Sequence, residues 1–378
     1  MIYAWEQRTL NEAADFFNEK RVPIDAGLRT SGEYPYYGAT GIIDYVDGFI
    51  FDGEFVLLAE DGSNIINRNS SIAYLTQGKF WLNNHAHIMK MKQGDNGFLL
   101  QLLEKQSYIS LNTGTAQPKL NGEVVKKMSL IFPCAKEQTR IGQFFRTLDN
   151  TIAIHKHKLD GLRKMKKAYL QVMFPQTGEA VPKMRFGGFT NEWKEIPLGT
   201  ILTERKQRQK ITDTLPLLAF AAGQGVIDRS ERRTNNRDFL THDAASKVYL
   251  LTHKDDIVYN PSNLKYGAID RNKHGSGVIS PIYITFETSE IPSFVELIVT
   301  SEAFKDKALQ YEEGTVTKRQ SVKPEMLLTL TVMIPTNHDE QSALGNFFCS
   351  IDKQVTNLTN KIEQLTMLKN AYLKKMFV

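Results

Sequence analysis

"EQTRIGQFFRTLDNTIAIHKHKLDGLRKMKKAYLQVMF" (residues 137–174) returns 203 residues later, without a gap, as "EQSALGNFFCSIDKQVTNLTNKIEQLTMLKNAYLKKMF" (residues 340–377). Identical pairs include Glu137/Glu340, Gln138/Gln341, Gly142/Gly345, Phe144/Phe347, Phe145/Phe348, Asp149/Asp352, Tyr169/Tyr372 and Phe174/Phe377. An internal repeat of this kind divides the chain and is read before anything else.

Each copy follows a proline, Pro133 or Pro335, and contains none until its end. Such runs predict long helices. In the first copy Ile141, Leu148, His155, Leu162 and Tyr169 lie seven apart. Phe145, Ile152, Leu159, Lys166 and Met173 repeat that spacing four residues on. The second copy matches with Leu344, Ile351, Leu358, Leu365, Tyr372 and with Phe348, Val355, Ile362, Lys369, Met376. Only His155, Lys166 and Lys369 interrupt the seam, and His155 reads as a tolerated polar insertion. An apolar seam repeating every seven residues on an otherwise polar helix is the coiled-coil pattern. At about 1.5 Å per residue, each helix is roughly 50 Å long.

A narrow apolar stripe needs a partner, and the nearest is the other copy. The helices are expected to pair within one chain. Pairing would run through Ile141, Phe145, Leu148, Ile152, Leu159 and Leu162 on one side. Leu344, Phe348, Ile351, Val355, Leu358, Ile362 and Leu365 supply the other. The alternative is that each helix packs on its own neighbouring domain or dimerises between chains.

The chain has 378 residues, enough for two or three domains. A hydrophobic fraction of 41% allows a sizeable core in each half. The formal charge of +5 fits a polyanionic partner, but many enzymes of neutral substrates share it. The two cysteines, Cys134 and Cys349, argue against a disulfide framework and fit a reducing compartment. They read as small, partly buried residues. No window of about 18 apolar residues suggests a membrane span, and the N-terminus does not resemble a signal peptide. A cytoplasmic location is expected.

Outside the helices lie two segments of similar size. Both open alike, at Trp5-Glu6-Gln7-Arg8 and Trp193-Lys194-Glu195-Ile196. Both close with a Gly-Thr loop and an apolar run ending in proline. The division is residues 1–131 as a first globe and 132–175 as a first long helix. Residues 176–192 form a linker, 193–333 a second globe and 334–378 a second long helix. Short β-branched and aromatic runs separated by Gly, Asn and Asp predict strands, as in 47–64 and 255–269. Short helices are predicted at 98–107 and 293–310. Each globe reads as a mixed α/β (α+β) domain with a strongly bent sheet.

These motifs together resemble the specificity subunit of type I restriction–modification systems. The carrying residues are the duplicated "EQ…IG.FF…LD" helix and its "KKAYLQVMF" end, with the Trp-Glu-Gln-Arg opening. "LLAEDGSN", "LNNHAHIM", "TGTAQPKL" and "VPKMRFGGFT" complete the set. The resemblance covers nearly the whole chain. It implies two globular target recognition domains, each reading one half of a bipartite, asymmetric DNA site. It implies an antiparallel pair of long helices that separates them, with pseudo-two-fold symmetry, and docks two methylation subunits. It further implies a chain without catalysis or cofactor of its own. S-adenosylmethionine would belong to the methylation subunits, and ATP to restriction subunits where these are present. One departure is plain: "VPKMRFGGFT" precedes the second globe but has no counterpart before Trp5.

Residues that read DNA must be polar or basic and carried on loops. Asn and Gln can pair with adenine, Arg with guanine, and Lys and Arg with phosphates. In the first globe the candidates are Asp61, Ser63, Asn64, Asn83, Asn84, His85, Thr113, Thr115, Gln117 and Lys119. In the second they are Arg205, Lys206, Arg208, Lys210, Arg229, Arg232, Arg233, Arg237, Asn260, Asn263, Lys265, Thr315, Lys318 and Arg319. For each charged residue the plainer reading is a solvated surface side chain. For the two Gly-Thr loops it is a structural turn.

Competing signals are weaker. "YNPSN" (259–263) suggests the Asn-Pro-Pro-aromatic box of a solitary adenine methyltransferase. Ser262 and Asn263 replace its second proline and its aromatic, and "FAAGQG" imitates a cofactor loop poorly. His85 and His87 could face one side of a strand, but no third metal ligand is evident. A coiled-coil scaffold that binds only proteins is the remaining alternative.

Overall fold

The computed structural model describes residues 5–221, 223–231, 247–313 and 320–377. The chain divides into two units, Met1–Leu159 with Leu358–Val378, and Asp160–Asn357. Both boundaries fall inside long helices, Ala135–Val172 and His338–Met376. Each unit is therefore a globe with a portion of both helices. The sequence division had given each helix a segment of its own. Side chains pack on what they touch, whatever its distance along the chain.

In the first unit, strand Glu6–Thr9 pairs antiparallel with Ser129–Phe132 just ahead of the long helix. An antiparallel sheet follows in the order Ala14–Phe16, Ala86–Met91, Phe55–Ala59, Ala73–Thr76. A second sheet holds Gly41–Val46, Ser31–Gly38, Lys79–Leu82 and Phe51–Asp52. Among the described residues the globe thus contains two four-stranded sheets besides the two-stranded pair, where the pattern predicted one bent sheet. The reason lies in the central strands. Val56, Leu58 and Met89 enter the main core with Phe98, Phe132 and Phe145. Their alternate neighbours Leu57 and Ile88 enter a second core with Phe51 and Phe80. A sheet buried on both faces carries continuous apolar runs.

The second unit repeats this plan. Lys194–Pro197 pairs antiparallel with Thr331–Ile334. Its central sheet runs Leu202–Glu204, Ile284–Thr288, Ile257–Tyr259, Ile269–Arg271, the same order of equivalent strands. Further small sheets hold Arg208–Gln209, Tyr249–Thr252 and Gly277–Ile279, and Leu218–Ala221 with Gly225–Asp228. Mixed helix and strand with a pair of long antiparallel helices is the fold class expected from the sequence.

The helices pair in the same way in each unit. In the first, the Phe144 ring meets Tyr372 at 5.0 Å, and Phe145 meets Phe377 at 6.0 Å. Lys369 Nζ lies 2.6 Å from Asp149 Oδ1. Numbers rise on one helix as they fall on the other, so the pair is antiparallel. In the second unit Phe347 meets Tyr169 at 5.2 Å, Phe348 meets Phe174 at 6.3 Å, and Lys166 Nζ lies 2.5 Å from Asp352 Oδ1. These are the same three contacts with the helices exchanged. Lys166 and Lys369, which interrupt the seam, are its ion-pairing members. Ile141, Phe145, Leu148, Ile152, Leu159, Leu344, Phe348 and Ile351 are buried. Leu162, Val355, Leu358, Ile362 and Leu365 are half-buried, as is His155.

Two repeated glycines explain how the helices seat on the globes. A Cβ at Gly142 would lie 1.9 Å from Asp95 Oδ1 and 2.9 Å from the Phe98 nitrogen. Asp95 caps helix Asn96–Lys105, accepting from Phe98 N at 3.0 Å. At Gly345 the Cβ would lie 2.1 Å from Ser293 Oγ, in the first turn of Pro292–Val299. The start of a short helix meets the long helix at each glycine. Gln138 and Gln341, both buried, tie each long helix back through Nε2 to the carbonyls of Pro133 (2.8 Å) and Pro335 (3.0 Å).

Candidate nucleic-acid interface

Three stretches of the first unit that are far apart in sequence come together. The carbonyl of Glu60 accepts from Leu120 N at 2.7 Å, and Gly62 N donates to the Pro118 carbonyl at 3.0 Å. Glu60 N donates to the His85 carbonyl at 2.9 Å. His85 Nδ1 lies 2.7 Å from Asp61 Oδ2. "LLAEDGSN", "LNNHAHIM" and "TGTAQPKL" thus form one cluster. Ser63, Asn84, His85, Thr113, Thr115, Gln117 and Lys119 are exposed in it, and Asp61 and Asn64 half-exposed.

A buried polar network supports these loops. Glu60 carboxylate receives Arg21 Nη1 at 2.6 Å and has Lys119 Nζ at 3.4 Å. Arg21 also donates to the Ala86 carbonyl at 2.9 Å. Burial would raise the Glu60 carboxyl, but the Arg21 hydrogen bond and nearby positive charge outweigh it and hold it below its ordinary value. Burial pushes the His87 imidazole below its ordinary value, against the pull of Glu60. His87 Nε2 faces the Leu120 carbonyl at 2.8 Å, and Nδ1 accepts from Asn18 Nδ2 at 3.0 Å. A neutral ring protonated at Nε2 satisfies both contacts. His85 and His87 therefore have separate partners, and among the described residues no group of three potential ligands could hold a metal.

The Gly-Thr loop is shaped by its glycine. Asn112 Oδ1 accepts from Gly114 N at 3.0 Å and Lys119 N at 2.8 Å. A Cβ at Gly114 would fall 1.8 Å from the Gln117 carbonyl oxygen. Thr113 Oγ1 closes the loop on the Lys119 carbonyl at 3.2 Å. Gly114 and Thr113 shape the turn, while Thr115 and Gln117 project from it.

Three candidates are engaged within the fold. Asn83 is buried, and its Oδ1 accepts from His85 N at 2.9 Å. Asn260 is buried and caps the turn Pro261–Tyr266, accepting from Ser262 N at 3.0 Å. That cap accounts for "YNPSN" without a flipped base. Arg205 forks onto Asp256 at 2.9 and 3.1 Å and reaches Glu287 at 3.2 Å. Asn64, half-exposed, locks its own loop through Ser70 and Ser71.

In the second unit Lys206, Arg208, Lys210 and Asn263 are exposed, with Lys206 3.6 Å from Glu204. Arg229 and Lys265 are half-exposed, and Lys265 lies 3.9 Å from Glu312. Val322 N donates to the Pro261 carbonyl at 3.1 Å, and Glu313 bridges Ser321. The base of the second Gly-Thr loop thus abuts the 260–263 stretch, as its counterpart abuts 60–62. Arg232, Arg233, Arg237, Thr315, Lys318 and Arg319 lie outside the described residues.

Arg21, Asn18 and Glu60 escaped the sequence reading. Glu60 stood beside Asp61 within a quoted motif, but Arg21 is 39 residues away and carried no local signal. Cys134 and Cys349 are free thiols, half-buried. Among the described residues no helix is long and apolar enough to cross a membrane.

The sequence profile of the type I restriction modification DNA specificity domain matches residues 3–164. The three-loop cluster lies within the matched residues. Two curated relatives agree. A Haemophilus influenzae protein named as a type I restriction enzyme specificity subunit is 40% identical over 137 residues, 36% of this chain and 35% of that one. A Mycoplasma pneumoniae type I specificity subunit is 26% identical over 125 residues, 32% of this chain and 33% of that one. The chain thus spans about a third of the length of the curated relatives it matches. The crystal structure of a type I restriction-modification S subunit from M. genitalium shares the fold, with a TM-score of 0.73 and 16% identity. It covers 100% of this chain and 96% of its own. The chain is thus similar, over part of its length, to type I specificity subunits.

Proposed function

We propose that this chain is the DNA-reading subunit of a type I restriction–modification assembly, and that it carries no catalytic group of its own. Each unit reads one half of a bipartite duplex site through its loop cluster. The paired helices hold the readers apart and dock two methylation subunits. Those partners supply S-adenosylmethionine chemistry, and restriction subunits, where present, supply ATP-driven cleavage. The observation that carries the reading is the convergence of residues 60–64, 83–87 and 112–120 within the matched specificity domain. Exposed amide and hydroxyl groups there suit base edges, and Lys119, Lys206, Arg208 and Lys210 suit phosphates.

The test is methylome sequencing of a host expressing the full assembly with Asn84→Ala, Thr115→Ala and Gln117→Ala combined. Methylation should be lost or altered at one half of the recognised site, with the other half retained. Each lost bidentate base contact is worth about 1–3 kcal/mol of discrimination. An unchanged methylated motif would overturn the reading.

A further inference from the structure

His85 is held from several directions within the loop cluster of the first unit. Its main-chain N–H donates to Asn83 Oδ1 at 2.9 Å, and its carbonyl accepts from Glu60 N at 2.9 Å. Its ring Nδ1 meets Asp61 Oδ2 at 2.7 Å. Asp61 is fixed in turn, its main chain bridged to Lys119 and Gly62 N bound to the Pro118 carbonyl. The neighbouring cations go to another carboxylate. Arg21 Nη1 and Lys119 Nζ lie 2.6 and 3.4 Å from Glu60. The Asp61 carboxylate is left to the imidazole. The His85 side chain is nevertheless 52% exposed, and among the described residues its Nε2 has no partner.

The chemistry of the pair fixes what this free edge offers. A carboxylate can only accept, so Nδ1 must carry a proton. In the neutral ring Nε2 then carries none and is an acceptor alone. His87 is arranged the other way round, with Nδ1 accepting from Asn18 and Nε2 facing the Leu120 carbonyl, and it is buried. In the major groove the amino groups of adenine and cytosine are the base-edge donors, whereas guanine O6 and thymine O4 accept.

We propose that His85, oriented by Asp61, is a specificity-determining residue that accepts from the exocyclic amino group of one adenine or cytosine in the major groove. The inference rests on the reading of this loop cluster as a DNA-reading surface and deepens it. It concerns one half of the site. In the second unit Tyr259 pairs with Ile284 as Ala59 pairs with Ala86. Tyr283 and Pro261 therefore stand where His85 and Asp61 stand, and Tyr283 is buried.

Methylome sequencing of a host expressing the full assembly tests the assignment. His85→Arg exchanges an acceptor for a donor. It should change one base pair of the motif by a transition, A·T to G·C where the amine is adenine's, C·G to T·A where it is cytosine's. His85→Ala should leave that pair degenerate between the same two, a preference of roughly tenfold lost, equivalent to about 1.4 kcal/mol. Asp61→Asn should relax the same position, because an amide can donate to Nδ1 or accept from it and no longer fixes the ring proton. The His85 ring bonds only Asp61, so His85→Ala should melt like the parent chain. An unmoved position, a uniform weakening with base preference unchanged (the mark of a phosphate contact), or complete loss of methylation with His85→Ala would each overturn the proposal. The combined Asn84, Thr115 and Gln117 variant is run alongside. If it alters the motif while the His85 variants do not, this inference alone falls; if neither alters it, the reading of the cluster falls as well.

Discussion

Glu340 is enclosed by Arg185 and Trp193, whereas Glu137, its counterpart in the first unit, has no such partner among the described residues. A second contrast lies nine residues, about two and a half turns, further along each helix. Arg146 reaches out to Glu54 at 2.6 Å and Asp95 at 3.2 Å, tying helix to globe. The Arg146 hydrogen bond holds the Glu54 carboxyl below its ordinary value. At the equivalent helix position stands Cys349, and the arginine comes from the globe. Arg271 binds Glu296 at 2.7 Å and Asp255 at 2.6 Å, with Cys349 Sγ at 3.7 Å. The apolar contacts, the glycines and the Lys–Asp pairs are retained, while the arginine clasps are rearranged. Apolar burial is non-directional and survives small shifts, but an ion pair needs both partners in place.

That division of labour can be broken experimentally. The largest effect is expected from Phe145→Ala and Phe348→Ala, both at fully buried positions. Each should destabilise its own unit by about 3–5 kcal/mol. Hydrogen exchange, read unit by unit, should show matching losses. Unequal losses would mean that the repeated helices do not play equal parts. Next come Gly142→Ala and Gly345→Ala. Overpacking costs about 1–3 kcal/mol, and Gly142 should be the more sensitive. Its Cβ would crowd the Phe98 nitrogen at 2.9 Å, against 3.2 Å from the Phe294 nitrogen at Gly345. The reverse order in urea unfolding would show that Asp95 moves aside more easily than Ser293. The smallest effect is expected from Lys166→Ala and Lys369→Ala. Their ion pairs are partly solvated, so each loss should stay below about 1 kcal/mol in thermal unfolding. A larger loss from one alone would break the equivalence of the two helix contacts.

The candidate site was legible in part. The motif stretches around Asp61, Asn84 and Thr115 were visible as loops, and they meet in one cluster. Which of their side chains turn inward was not legible. Asn83 and Asn84 are adjacent and chemically identical, yet one supports His85 from a buried position and the other is exposed. Alternation of burial at a strand end depends on what lies across it, which the local sequence does not record. Likewise Arg205, in a basic run with Lys206 and Arg208, is drawn inward by Asp256, 51 residues away.

The amino-acid order by itself determined the tandem repeat, the two long helices and their seam, and the mixed character of each globe. These follow from short-range periodicity and from identity between copies. Only the tertiary structure decided that each globe is built from several separate sheets, that Arg21 and Glu60 underpin the loops, and that Arg185 closes on Glu340 across 155 residues. A charged pair leaves no periodic trace in a sequence, because its two members are brought together by the packing of everything between them.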